Sequence, residues 1–218
     1  RQSRLTKRNV LDYYNDIAHH LLPWLKDRPL VIRLHQDGQA GPAITDLEGL
    51  KKNSAEEIPE WLETATVGKG KAKLQLLLGN DREHLLFYVQ LGCLEFHTGH
   101  SRIRSFGSPD YLILMIGSSD YELEKTIDAA LATKAILTGL QLPSFAKTDG
   151  ISGLHIYIPL DAKGDFEESE RAAEYLCKLV RLKVPGLVTV EGLDDHGYGK
   201  VSMDYTLNAQ GAGVVAPY

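Results

Sequence analysis

The sequence predicts an α/β (α+β) protein with a mixed β-sheet core and flanking helices. Segments with helical periodicity alternate with short β-branched runs, but without strict βαβ regularity, and no internal repeat of fixed period occurs. The hydrophobic fraction of 43% and the charged fraction of 24% are typical of globular proteins. With 218 residues, the chain is predicted to form one domain, 1–218, built of two sublayers.

The first half of the chain contains three segments with clear periodicity. Val10, Ile17 and Leu21 at helical spacing predict a helix from about Lys7 to Lys26. Pro29 to His35 is rich in β-branched residues and is predicted to be a strand that ends in the turn QDGQAGP. Gly38 to Gly70 lacks periodicity. The run LQLLLG is then predicted to be a buried strand. A helix is predicted to follow it from Asp81 to Leu91, with Asn80 as its N-cap and Gly92 as its C-terminal stop.

The second half alternates strands and helices more regularly. The predicted elements are, in order, the strands CLEFH and PDYLILMIG, a helix from Tyr121 to Thr138, the strands SFAKT and GLHIYIP joined by the loop Asp149 to Gly153, a helix from Phe166 to Lys183, and the strands LVTVE and KVSMDY. In the last helix, apolar residues lie on one side and charged residues on the other. This order predicts a mixed sheet rather than a barrel.

Composition excludes several classes of protein. The net charge of −5 provides no overall positive field for nucleic acid, so any such contact must come from a local patch. Cys93 and Cys177 lie in apolar stretches, which predicts core positions in a reducing cytosol rather than a disulfide framework. No apolar run approaches the roughly 20 residues that cross a bilayer, so no membrane segment is predicted. Because the chain begins with Arg1, we expect it to be a piece of a longer protein.

Common catalytic motifs are absent from the sequence. It contains no G-x-S-x-G, Walker loop, C-x-x-C or H-E-x-x-H. His97 and His100, with Asp204, have the ligand types of a zinc site, but H-x-x-H alone is a weak signal. We therefore predict no resident metal.

An ordered set of motifs carries a resemblance to a known family. The segments are LDYYNDIAHHLLPWLKDRPL, EFHTGHSR, PDYLILMIG, KTDGISGLHIYIPL, VSMDYTLN and the terminal VAPY. Together they resemble the polymerase domain of bacterial DNA ligase D, a member of the archaeo-eukaryotic primase superfamily, over nearly the whole chain. The resemblance implies a primase/polymerase-like fold. In that family the domain extends polynucleotides with ribonucleotides during the repair of double-strand breaks by end joining, using a two-metal site on a sheet.

The acids of that metal site are replaced in this sequence. In the family, two acids alternate along the strand that follows the PDYL element, and they correspond here to Met115 and Gly117. A thioether is a soft ligand and glycine has no side chain, so neither binds Mg²⁺ or Mn²⁺. The third acid corresponds to Asp204, the remaining catalytic candidate. We therefore expect no cofactor, unless a rebuilt site of Asp149, Asp120 and Asp204 binds Mn²⁺ or Mg²⁺ together with a nucleoside triphosphate.

The phosphate-binding loop of the family also differs here. The family's loop serine and lysine correspond to Asp149 and Ser152, and its base-stacking aromatic pair corresponds to Gly49 and Leu50. Loss of the lysine and gain of a carboxylate both weaken the attraction for a triphosphate. The resemblance nevertheless implies these nucleotide-binding candidates: His97, His100, Arg102, Lys147, Thr148, Asp149, His155 and Asn208.

Three functional hypotheses follow. The first is a DNA-end or protein-binding module of end joining that lacks metal-dependent nucleotidyl transfer, with DNA contacts at Lys51, Lys52, Lys69 and Lys71. The second is an active primase/polymerase-type nucleotidyltransferase with the rebuilt metal site. The third is an interaction scaffold that binds neither DNA nor nucleotide. The resemblance implies a ligase module or a Ku-like protein as partners, and nucleoid association if the chain binds DNA.

Overall fold

The computed structural model describes residues 5–36, 39–67, 73–117, 122–150, 153–190 and 199–218. The chain divides into two compact units, 1–104 with 213–218, and 105–212. Both units combine antiparallel strands with helices, which confirms the predicted mixed α/β class. The single domain over 1–218 stays a prediction, since packing units do not decide whether the two parts fold together.

The first unit contains three helices and six strands in its described parts. They are α1 Lys7–Leu25, β1 Leu30–Gln36, β2 Gln39–Ala40, α2 Leu47–Asn53, β3 Thr64–Val67, β4 Leu74–Leu77, α3 Arg82–Gln90, β5 Cys93–Thr98 and the C-terminal β11 Val214–Val215. Four strands form a sheet in the order β11-β5-β1-β2, and β3 pairs with β4 in a separate two-stranded sheet. All these pairs are antiparallel.

Helices α1 and α3 contribute apolar side chains to the core of the first unit. Leu21 and Leu25 of α1 and Leu85 of α3 are buried with Ile32 of β1. Cys93 is also buried there, as predicted, and burial raises the pKa of its thiol to about 12. Each fully buried aliphatic side chain in such a cluster contributes about 1.5–3 kcal/mol relative to an exposed one.

The predicted boundaries of α3 need a correction. Asp81, rather than Asn80, is the N-cap, and its side chain accepts a hydrogen bond from the His84 backbone N–H at 2.9 Å. The Asn80 side chain instead accepts a hydrogen bond from the Asp27 backbone N–H at 2.8 Å. This contact holds the turn after α1, where Asp27 has a φ of 58°.

The second unit is built around a five-stranded sheet in the order β7-β8-β6-β10-β9. Its elements are β6 Tyr111–Gly117, α4 Leu123–Gly139, β7 Phe145–Thr148, β8 Gly153–Pro159, α5 Phe166–Lys183, β9 Val188–Val190 and β10 Val201–Asp204. Short 3₁₀ helices lie at Ile103–Ser105 and Thr206–Asn208. Among the strand pairs of the described residues, β9 and β10 alone are parallel, so the sheet is mixed, as predicted.

Helices α4 and α5 cover one face of this sheet. Leu114 and Ile116 of β6 are buried against Ala129 of α4 and Cys177 of α5. Because side chains alternate along a strand, Met115 and Gly117 of β6 point to the opposite face. No helix in the described ranges is long and apolar enough to cross a membrane.

Candidate functional site

Four chemically distinct side chains form one row across the sheet of the second unit. Lys147 of β7 lies opposite His155 of β8. His155 in turn lies opposite Met115 of β6. Met115 lies opposite Asp204 of β10 on its other side. Residues directly opposite on neighbouring strands project to the same face, with Cβ atoms about 4.5–5.5 Å apart. The row therefore lies on the sheet face opposite α4 and α5.

A second row on the same face contains almost no side chain. Gly117 lies between Gly153 of β8 and Ser202 of β10. A Cβ at Gly153 would lie 2.5 Å from the Ile116 carbonyl oxygen, so only glycine fits at that position. A Cβ at Gly117 would meet nothing within 4 Å. The space beside Asp204 that a second acid would fill is thus open.

Asp204 is the one carboxylate of the row, and a local turn already uses it. Its Oδ1 accepts hydrogen bonds from the backbone N–H of Thr206 at 2.6 Å and from the Thr206 hydroxyl at 2.7 Å. These bonds start the 3₁₀ helix Thr206–Asn208.

The residues of the row do not fit the two-metal centre that the resemblance implies. Met115 offers sulfur and Gly117 offers no side chain where hard cations require oxygen ligands. Over the ranges that the structure describes, no group of three or more His, Cys, Asp or Glu side chains is placed to bind a metal ion. His97 and His100 belong to the first unit and Asp204 to the second, and Asp120 of the rebuilt site lies outside the described residues.

His155 is a buried, neutral member of the row. It is 6% exposed, and its Nδ1 has no hydrogen-bond partner among the described residues. Burial, helped by the positive charge of Lys147 and opposed by the Asp149 carboxylate, lowers the pKa of the imidazole to about 4. Burial also lowers the pKa of Lys147, again opposed by Asp149.

The burial of His155 predicts a loss of stability in mild acid. Between its ordinary pKa of about 6.5 and the folded value of about 4, the unfolded chain binds a proton that the folded chain excludes. The contribution of His155 to the free energy of unfolding is therefore present above pH 6.5 and falls, by on the order of 3 kcal/mol, as the pH drops to 4. Urea unfolding at pH 7.5 and 5.0 should show a smaller drop for His155→Gln than for the wild type; equal drops would contradict this.

The loop between β7 and β8 is closed by Asp149. The Asp149 backbone N–H donates to the Gly153 carbonyl oxygen at 3.0 Å, and its Oδ1 accepts from the Gly153 N–H at 2.9 Å. Gly150 has a φ of 84°, which suits glycine at this turn. The neighbouring Thr148 is exposed and pairs with Leu154. The Asp149 carboxylate thus acts as a loop-closing acceptor and adds negative charge beside Lys147.

Asn208, a predicted nucleotide ligand, has a structural role in the sheet. It is fully buried; its Oδ1 accepts from the Ile113 N–H at 2.8 Å, and its Nδ2 donates to the carbonyl oxygens of Ile113 and Tyr205, both at 2.7 Å. Both ends of the amide are therefore engaged by backbone groups of β6 and of the 3₁₀ helix. A nucleotide contact would have to replace one of these bonds.

The remaining nucleotide-binding candidates belong to the first unit. His97 of β5 is partly exposed, and its Nε2 lies 3.3 Å from Glu95 Oε1. His100 is 1% exposed. Arg102 donates from Nη1 to the Lys26 carbonyl oxygen at 2.7 Å, which secures the end of α1. His97 and Arg102 are both partly exposed, whereas His100 is buried.

The predicted DNA-binding lysines are only partly described. Lys51 and Lys52 are exposed in the last turn of α2, and Lys51 Nζ lies 3.3 Å from Glu48. Lys69 and Lys71 lie outside the described residues. Gly49 and Leu50, at the family's base-stacking positions, are in α2, where Leu50 is fully buried.

Comparison with known proteins identifies the class of this fold and site. A family model described as "LigD, primase-polymerase domain" matches residues 6–218. The chain belongs to this family, which confirms the resemblance found from the motifs.

The related proteins are considerably longer than this chain. The bifunctional non-homologous end joining protein LigD of Bacillus subtilis is 23% identical over 100% of this chain and 34% of its own length. The multifunctional LigD of Mycolicibacterium smegmatis is 26% identical over 98% of this chain and 28% of its own length. The chain thus spans about a third of these relatives.

A solved structure has the same fold. The polymerase domain of Mycobacterium tuberculosis ligase D, in complex with DNA, superposes with a TM-score of 0.83 at 24% identity, covering 98% of this chain and 76% of that one. The match therefore supports the fold of each of the two units.

Proposed function

We propose that this chain binds DNA ends in non-homologous end joining and does not carry out metal-dependent nucleotidyl transfer. The observation that supports this is on one face of strand β6, where Met115 and Gly117 stand at the positions of the family's two metal-binding acids, next to Asp204. Asp204 alone remains, and Thr206 occupies one of its oxygens. A single carboxylate does not hold the two cations that clamp an attacking oxygen and a triphosphate.

Weak attraction for a triphosphate supports the same conclusion. Lys147 provides positive charge on the row, but Asp149 lies beside it and His155 is neutral at physiological pH. The loop lysine of the family is Ser152. The Lys147 ammonium with the adjacent Asp149 carboxylate provides little net positive field to hold three phosphates.

Binding of DNA does not depend on the missing acids. Phosphate contacts require only positive charge at suitable positions, and Lys51 and Lys52 are exposed on α2. The related mycobacterial domain was solved in complex with DNA. We propose 5′-phosphorylated duplex ends as the ligand, with a ligase module or a Ku-like protein of the bacterial cytoplasm as protein partner.

Charge reversal on α2 should weaken this binding. We expect the variant Lys51→Glu/Lys52→Glu to bind a fluorescent 5′-phosphorylated duplex at least tenfold more weakly at 100 mM salt, because two phosphate contacts become repulsive. The slope of log affinity against log salt should also become shallower, by about 0.9 for each lost contact. Fluorescence anisotropy at several salt concentrations measures both quantities.

Lys134→Glu/Lys183→Glu provides the matched control for this experiment, because it reverses the same number of charges. Both lysines are exposed, on α4 and α5 of the second unit, so the substitutions change charge without touching α2. Equal losses in the two variants would indicate a general charge effect. Salt-independent binding, or none, would support the interaction scaffold instead.

A further inference from the structure

A groove in the first unit is lined by none of the residues assigned above to nucleotide or DNA. It runs between α1 and α3 and has a volume of about 640 Å³. Leu11 of α1, Leu86 and Phe87 of α3, and Trp61 from the segment before β3 provide its apolar lining. Clefts of roughly 300–1,000 Å³ are large enough to accept several side chains of a ligand.

Trp61 is held firmly, although half of it faces solvent. Its ring is 50% exposed and makes edge contacts with Phe87, at 5.6 Å between centroids, and with His84, at 5.7 Å. His84 is itself fixed, since its Nε2 accepts from the Glu63 N–H at 3.0 Å and its Nδ1 lies 2.6 Å from Asp81. A pre-positioned, half-exposed tryptophan is the kind of residue that anchors protein partners.

The groove carries an excess of negative charge. Asp12 and Glu83 line it; Arg8 neutralises Asp12 at 3.3 Å, whereas the Glu83 carboxylate has no ion-pair partner within the described residues. Gln90, also in the lining, donates to the exposed Glu56 at 3.1 Å. The exposed Glu60 directly precedes Trp61. The Arg82 guanidinium, which donates to Asn15 in the lining, offsets one of these carboxylates. The remaining carboxylates leave a net negative charge, which attracts cations and repels DNA phosphates.

We propose that the groove is the docking site for a basic segment of a partner protein that also carries large apolar side chains. The apolar side chains fill the space between α1 and α3, and lysine or arginine side chains lie near Glu83 and Glu56 or over the ring of Trp61. This is the mode in which amphipathic segments bind apolar grooves. The proposal does not depend on the nucleotide or DNA assignments.

Calorimetric titration of the whole chain with designed peptides tests this proposal. The probe is a 14-residue peptide of leucine and lysine with leucines at helical spacing. One comparison peptide replaces every lysine with glutamate, and another replaces every leucine with serine. We expect the leucine–lysine peptide to bind at least tenfold more tightly than either comparison peptide, because the groove requires both apolar contact and positive charge.

Variants locate the binding to the groove. Glu83→Lys and Trp61→Ala should each weaken binding of the leucine–lysine peptide at least tenfold. Glu124→Lys, the same charge change on an exposed position of α4, should leave it unchanged. Glu83 is exposed, so its substitution tests the site even if Trp61→Ala perturbs folding. No binding, equal binding of the glutamate peptide, or equal losses in Glu83→Lys and Glu124→Lys would overturn the proposal.

Discussion

Restoring the two missing acids should create a manganese site. We expect the variant Met115→Asp/Gly117→Asp to bind Mn²⁺ at least tenfold more tightly than the wild type in calorimetric titrations. Position 115 lies directly opposite Asp204, and position 117 lies two residues further along the same face. Three carboxylates would then converge within reach of one hard cation. The substitution at Gly117 is sterically permitted, because its Cβ would meet nothing within 4 Å.

Two controls define this result. Met115→Asn/Gly117→Asn has nearly the same shape without the charge, so it should bind Mn²⁺ no better than the wild type. Adding Asp204→Ala to the aspartate variant should remove most of the gain, because Asp204 is the third ligand. If the wild type already bound Mn²⁺ as tightly as the aspartate variant, the explanation of the lost metal site would be wrong.

Removal of the Asn208 side chain should destabilise the protein severely. We expect Asn208→Ala to lower the free energy of unfolding by about 3 kcal/mol, because the buried N–H and carbonyl of Ile113 both lose the Asn208 amide as hydrogen-bond partner. The Tyr205 carbonyl oxygen keeps the backbone N–H of residue 208, which lies 3.1 Å away. The side chain is fully buried, so water does not readily replace it. Urea unfolding monitored by circular dichroism measures the loss.

Gln210→Ala is the matched control for Asn208→Ala. Gln210 carries the same amide group two residues further on, but it is exposed. Its substitution should change the free energy of unfolding by less than about 0.5 kcal/mol. A similarly small effect of Asn208→Ala would show that the amide is not structural and would favour its predicted role in nucleotide binding.

Local patterns predicted the long elements well and the short ones poorly. Helices α1, α4 and α5 follow from apolar periodicity and cap residues, and their bounds differ from the prediction by at most two residues. Helix α2 and strand β3 lie in the stretch from Gly38 to Gly70, where no element was predicted. A seven-residue helix is too short to show periodicity, although Asp46 provided an N-cap signal: its side chain accepts from the Gly49 N–H at 2.7 Å.

The chemistry of the candidate site was predictable where it depends on residue type. The replacement of acids by Met115 and Gly117 is visible in the sequence, and strand periodicity places both on one face. The engagement of Asn208 by Ile113, 95 residues away, is a tertiary contact that no local pattern encodes. The groove at Trp61 is likewise formed by tertiary contacts. The only sign of it in the sequence is a tryptophan in the acidic segment EEIPEWLE.

A ribonucleotide incorporation assay tests the central claim most directly. The wild-type chain and Asp204→Ala would be incubated with a primed DNA template, Mn²⁺ and ribonucleoside triphosphates, and extension would be measured on a sequencing gel. We predict no extension above background in either protein, while the same wild-type preparation binds 5′-phosphorylated duplex ends in a salt-dependent manner. Robust extension by the wild type that Asp204→Ala abolishes would contradict the account and would establish an active nucleotidyltransferase with a rebuilt metal site.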